Sequence, residues 1–145
     1  MIRLVVVAAA LALTARPPVG PTPRPQASLR EAGEAARAAW QARNLGAFVS
    51  VSGGGPLLVT LPGARGTSPL SPRQARAILE SYVQGTQEVA TVLQQAVEVD
   101  STEGYVRITR TYRLVGLPGE REAMMLLGFR RGRGEWVMTE VRISE

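Results

Sequence analysis

Apolar and polar residues alternate along the last third of the chain. From Tyr105 to Leu114, Val106, Ile108, Tyr112 and Leu114 interleave with Arg107, Thr109, Thr111 and Arg113. Gly116-Leu117-Pro118-Gly119 follows as a turn, and Ala123–Arg130 carries apolar residues on both faces, as a central strand does. Arg131-Gly132-Arg133-Gly134 turns the chain again, and Trp136–Ile143 resumes the alternation. Period-two patterning broken by Gly and Pro predicts successive β-hairpins.

Upstream, the period changes. Ser28 caps a helix that runs to about Asn44, with Leu29, Ala32, Ala36, Ala39, Trp40 and Arg43 on one stripe and Gly46 at its end. Leu57–Leu61 reads as a short strand. Ser71-Pro72 starts a second helix, with Ala75, Ile78, Leu79, Tyr82 and Val83 on its apolar face and Gly85 as its stop. Glu88–Val99 fits both helical and strand periods; its β-branched residues and the turn after Asp100 favour a strand. The pattern predicts an α+β fold: a curved antiparallel sheet of about four strands, covered on one face by two helices. Trp40, Ile78, Leu79, Tyr82, Leu127, Phe129 and Val141 are the expected core.

The N-terminal stretch belongs to neither pattern. Met1-Ile2-Arg3, the apolar run Leu4–Leu13 and then Thr14-Ala15 describe a signal peptide over residues 1–15, too short to span a bilayer as a helix. Residues 16–27 are a Pro-rich spacer, and 28–145 a single domain. The protein is therefore expected to be secreted or periplasmic, with no stable membrane span once the signal is removed.

Composition narrows the chemistry. The sequence has no Cys and no His, which removes thiol nucleophiles, disulfides and the commonest general base and metal ligand. No metal site and no cofactor is implied. All 17 basic residues are Arg, so no Schiff-base or phosphate-loop Lys exists, and Gly53-Gly54-Gly55 lacks the ending of a phosphate loop. The net charge of +5 suits ordinary solubility or an anionic partner. Nucleic acid is not expected of an exported chain with 5% aromatic residues.

The order of elements resembles the cone-shaped fold of nuclear transport factor two and ketosteroid isomerase. The resemblance rests on Asn44-Leu45-Gly46-Ala47-Phe48 leading from the first helix into a short strand, on the helix Pro72–Val83, and on the closing Trp136–Ile143. The chain is also similar to small secreted bacterial proteins of unknown function on that fold. Arg73-Gln74-Ala75-Arg76-Ala77-Ile78-Leu79, Gly104-Tyr105 and Glu140-Val141-Arg142-Ile143 carry this likeness. A cystatin-type inhibitor has related architecture, but Gln95-Ala96-Val97-Glu98-Val99 lacks the final Gly of the inhibitory loop. An isomerase on the cone fold implies a carboxylate base inside the cone. Asp100 falls in a turn, which leaves Glu140, flanked by apolar strand neighbours.

Arg110 interrupts the apolar face of Val106, Ile108, Tyr112 and Leu114, and strand parity puts it on their side. Two cross-strand parities are open: Leu126 and Glu140 beside it, or Met125 and Val141. A buried charge needs a partner, so Arg110 either pairs with Glu140 or snorkels to the sheet edge, or it binds an anion at the bottom of the cone, with Tyr112 as a hydroxyl donor. Arg110, Tyr112, Glu140 and Trp136 are the candidate ligand-binding residues. Arg130, Arg131 and Arg133 form a candidate anion patch, or a solvated hairpin turn. The expected function is a secreted, non-enzymatic domain. It would bind a small anionic or apolar ligand, or a cell-envelope protein, through the concave face of the sheet. A homodimer through the sheet is a further arrangement, and an isomerase or hydrolase with a Glu base is the alternative.

Overall fold

The computed structural model describes residues 28–64 and 68–145. The expected signal peptide and Pro-rich spacer lie outside the described residues. The elements are α1 (Leu29–Gln41), α2 (Leu45–Ser50), β1 (Leu57–Thr60), β2 (Pro69–Leu70), α3 (Pro72–Val83), β3 (Thr86–Glu98), β4 (Glu103–Leu114), β5 (Arg121–Gly132) and β6 (Glu135–Ser144).

Strands β3 to β6 form an antiparallel meander, as the alternation requires, and the ambiguous segment is strand β3. The sheet is larger than expected. Six strands run in the order β2-β1-β6-β5-β4-β3, and β1 lies parallel to β6, so the sheet is mixed. The described residues form three helices, not two. The first ends at Gln41, and Asn44 then starts α2 by accepting a hydrogen bond from Ala47 N–H. The expected strand around Phe48 is therefore a helical turn. Ser71 and Gln74 cap α3 reciprocally, Pro72 opens it, and Gly85 follows its last turn at φ 75°, a backbone conformation that favours glycine.

The helices lie on the face formed by Val106, Ile108, Met125, Leu127, Phe129, Val141 and Ile143, all buried. Trp40 anchors α1 there, edge-on to Phe48 with ring centroids 5.1 Å apart. The expected core is right except at Ile78, which is 37% exposed, and Tyr82, which is half-buried. Ala75, Leu79 and Val83 are the buried residues of α3, with Tyr82 packed partly against the core, and this stripe leaves Ile78 out.

Candidate functional site

Arg110 is fully buried beneath the helices. Of the two expected parities the one with Met125 and Val141 on its face holds, although Ala123 of β5, two residues before Met125, stands directly opposite Arg110, with Thr91 on the β3 side. Its ion-pair partner is Glu88, not Glu140; Arg110 Nε donates to Glu88 Oε1. Arg110 Nη2 donates to Thr86 Oγ1 at 2.9 Å. Three aromatic rings enclose the guanidinium. Its carbon lies 4.1 Å from the Tyr112 ring centroid, 5.2 Å from Tyr82 and 5.4 Å from Trp40. Cation–π attraction and one carboxylate together offset the desolvation of the charge.

A β-bulge builds this arrangement. Glu88 pairs with Tyr112 and Ala90 with Thr111, so Val89 is the extra residue. The bulge shifts strand parity, and Glu88 and Thr91 come to the same face although they are three positions apart. Thr91 Oγ1 donates to Glu88 Oε2 at 2.9 Å, so both carboxylate oxygens are held. Helix α1 satisfies the backbone here: Gln41 Oε1 accepts from Thr91 N–H at 2.7 Å, and Arg37 Nη1 donates to Thr91 C=O at 3.2 Å. Arg43, at φ 56°, donates to the carbonyls of Val83 and Thr86 and closes the α3–β3 corner. Two guanidinium groups thus meet at Thr86, whose hydroxyl donates to Val83 C=O at 2.6 Å.

Not every donor in this network is used. Arg110 Nη1 and Trp40 Nε1 are buried and have no hydrogen-bond partner among the described residues. Nearer the end of β6, Tyr112 donates its hydroxyl to Glu145 Oε1 at 2.5 Å, and Tyr82 reaches the same oxygen at 3.3 Å. Burial pushes the Tyr82 hydroxyl from 10.0 up to about 12, against the opposing pull of the Arg110 charge. Tyr112 is raised as well, first by burial and then by its bond to Glu145.

The other candidates are dispersed. Glu140 follows the outer parity of the sheet, beside Gly128, in a groove of about 340 Å³ with Tyr105, Leu126 and Thr139; its carboxylate accepts from Arg142. Trp136 is buried at the end of the sheet remote from Arg110, with the Arg131 guanidinium 5.7 Å from its ring. Arg130 forms an exposed ion pair with Glu103 at 3.4 Å, and Arg133 occupies the turn at φ 51°. Of the expected set, only Arg110 and Tyr112 come together. Trp40 and Tyr82, expected only as core, and Glu88, Thr86 and Glu145 complete the site. An apolar stripe hides the hydroxyl and indole roles of the first two, and the bulge hides the third.

No protein-family model and no curated protein matches the chain. Solved structures do. A ketosteroid isomerase-like protein from Erwinia carotovora atroseptica superposes with a TM-score of 0.68, covering 85% of this chain and 97% of its own at 16% identity. The fold is ketosteroid-isomerase-like. A DUF4783 family protein from Bacteroides uniformis shares this fold with a TM-score of 0.64 at 12% identity, over 77% of this chain and 94% of that one. So does a hypothetical protein from Catenulispora acidiphila, in complex with trimethylamine, with a TM-score of 0.62 at 15% identity, over 80% and 85%. At these identities the ketosteroid-isomerase-like likeness is one of fold, and fold alone does not assign chemistry.

Proposed function

We propose that the chain is a non-enzymatic binding domain that admits a small ligand into its cone, against Arg110. The observation that carries this reading is the pair of buried, unused donors, Arg110 Nη1 and Trp40 Nε1. A buried donor without an acceptor costs about 1–3 kcal/mol, and a ligand acceptor placed between the helices and β4 removes that cost. The aromatic enclosure already holds a guanidinium, so a small cation such as trimethylamine, the ligand of one structural neighbour, does not suit this chain. The isomerase alternative is not supported by the Glu base that the sequence offered or by the carboxylate paired with Arg110. Glu140 is on the outer side of the sheet, and both oxygens of Glu88 are engaged.

The test is a titration of the full chain with acetate and with acetamide, two small acceptors of similar shape. The indole N–H resonance of Trp40 is expected to move while that of Trp136 stays. If neither solute moves Trp40 at any concentration, the ligand reading fails. We also propose that the domain acts outside the cytoplasm, on the strength of Leu4–Leu13 behind Arg3. Mass spectrometry from the native host should find a mature N-terminus between Thr14 and Ala27; an intact Met1 in a cytoplasmic fraction would overturn it.

A further inference from the structure

Two hydroxyl donors from different elements, Tyr82 of α3 and Tyr112 of β4, converge on one oxygen of Glu145. Glu145 is exposed and stands just past the end of β6, held by side-chain contacts rather than by the sheet ladder. Its carboxylate is not ion-paired with Arg110, and Arg110 Nη1 stays unpartnered among the described residues. The tethered carboxylate therefore uses two of three neighbouring donors.

We infer that Tyr82, Tyr112 and Arg110 Nη1 form a recognition site for a small free carboxylate, which the Glu145 side chain partly occupies in the ligand-free chain. This rests on the ligand reading above and names its ligand class. Local charge supports it. Arg110 and Arg43 meet at Thr86, while Glu88 supplies one negative charge and Glu145 the second. Replacing Glu145 by another carboxylate leaves that balance intact, whereas a neutral ligand removes a negative charge from beside a buried guanidinium. A free carboxylate also has two oxygens unconstrained by the chain. One can take the phenolic hydrogens and the other the Nη1 hydrogen that Glu145 leaves unused. Both tyrosine rings flank the guanidinium, so the three donors belong to one cluster. The Glu145 side chain acts as an intramolecular competitor, present at an effective concentration in the millimolar range.

The experiment compares acetate and acetamide binding in the full chain, followed by the Trp40 indole resonance and by calorimetry. Glu145→Ala is expected to tighten acetate binding about tenfold and to leave acetamide unchanged. Adding Tyr82→Phe, which keeps the ring on Arg110 but removes its hydroxyl, is expected to abolish the gain. Equal acetate affinity in wild type and Glu145→Ala overturns the inference, as does an equal gain for acetamide or a gain that survives Tyr82→Phe. If Trp40 responds to acetate in every variant with unchanged affinity, the carboxylate exchange is wrong while the pocket stands. If Trp40 never responds, both fall.

Discussion

Glu88 reaches Arg110 across a bulge, from a position that pairs with Tyr112. The side chains involved are 4% and 0% exposed, respectively. A pair this deep is held by mutual need: each charge is most costly when the other is absent. Glu88→Ala should therefore lower stability by about 3–5 kcal/mol, and Arg110→Met alone should also destabilise by leaving Glu88 unpaired. The double variant Arg110→Met/Glu88→Leu should recover most of the loss, or exceed wild type by about 1–4 kcal/mol. Urea unfolding of the four proteins measures the coupling, and additive losses would show that the pair is not the unit.

That bulge also marks the limit of what the chain discloses. The four strands of the meander follow from alternation, because one face meets helices and the other meets solvent. Arg110 was legible for the same reason, as a charge on an apolar face. Its partner was not. Strict alternation groups Val89 with Thr91 and Leu93, yet Val89 is exposed and Glu88 faces inward. Nothing in the local residue types announces the extra residue. Likewise, Gly46 reads as a helix stop, while the Asn44 side chain restarts the helix one residue earlier. The short strand expected at Leu57–Leu61 is β1, but its parallel pairing with β6 and the two-residue β2 leave no periodic signal.

Alkaline pH should weaken the fold through Tyr82. Its hydroxyl ionises near 10.0 when unfolded and near about 12 in the folded protein, so the folded state favours the neutral phenol. The associated stability is complete below the lower value and is lost as pH rises through the window to the higher one. The thermal midpoint should fall more steeply from about pH 10 to about pH 12 in wild type than in Tyr82→Phe. Parallel curves would mean that Tyr82 ionises as freely in the folded protein as in the unfolded chain.

Gly33 of α1 is a second point of stress. A methyl group there would meet the Val106 side chain at 2.8 and 2.9 Å and Leu93 at 3.1 Å. Helix propensity alone favours Gly33→Ala by about 1 kcal/mol, whereas overpacking costs about 1–3 kcal/mol. The substitution is expected to destabilise on balance, and a raised thermal midpoint would show that α1 can lift from the sheet without loss.

Phe129 and Ile78 provide a paired test of the core boundary. Phe129 is 2% exposed and Ile78 is 37% exposed. Truncating Phe129 to Ala should cost about 3–5 kcal/mol. Ile78→Ala should cost less than about 1 kcal/mol. Similar losses in chemical denaturation would place α3 in a different rotation.

The parallel contact between β1 and β6 joins segments from opposite ends of the domain, whereas the pairings within β3 to β6 are between chain neighbours. Loop closure favours near contacts first. The meander can therefore assemble as successive hairpins while β1 waits for its partner. The earliest of those hairpins, β3 with β4, already contains both Glu88 and Arg110. The guanidinium and its counter-charge thus sit within one hairpin, and their pairing needs no contact distant in the chain. The bulge makes the neutralisation of Arg110 a local event.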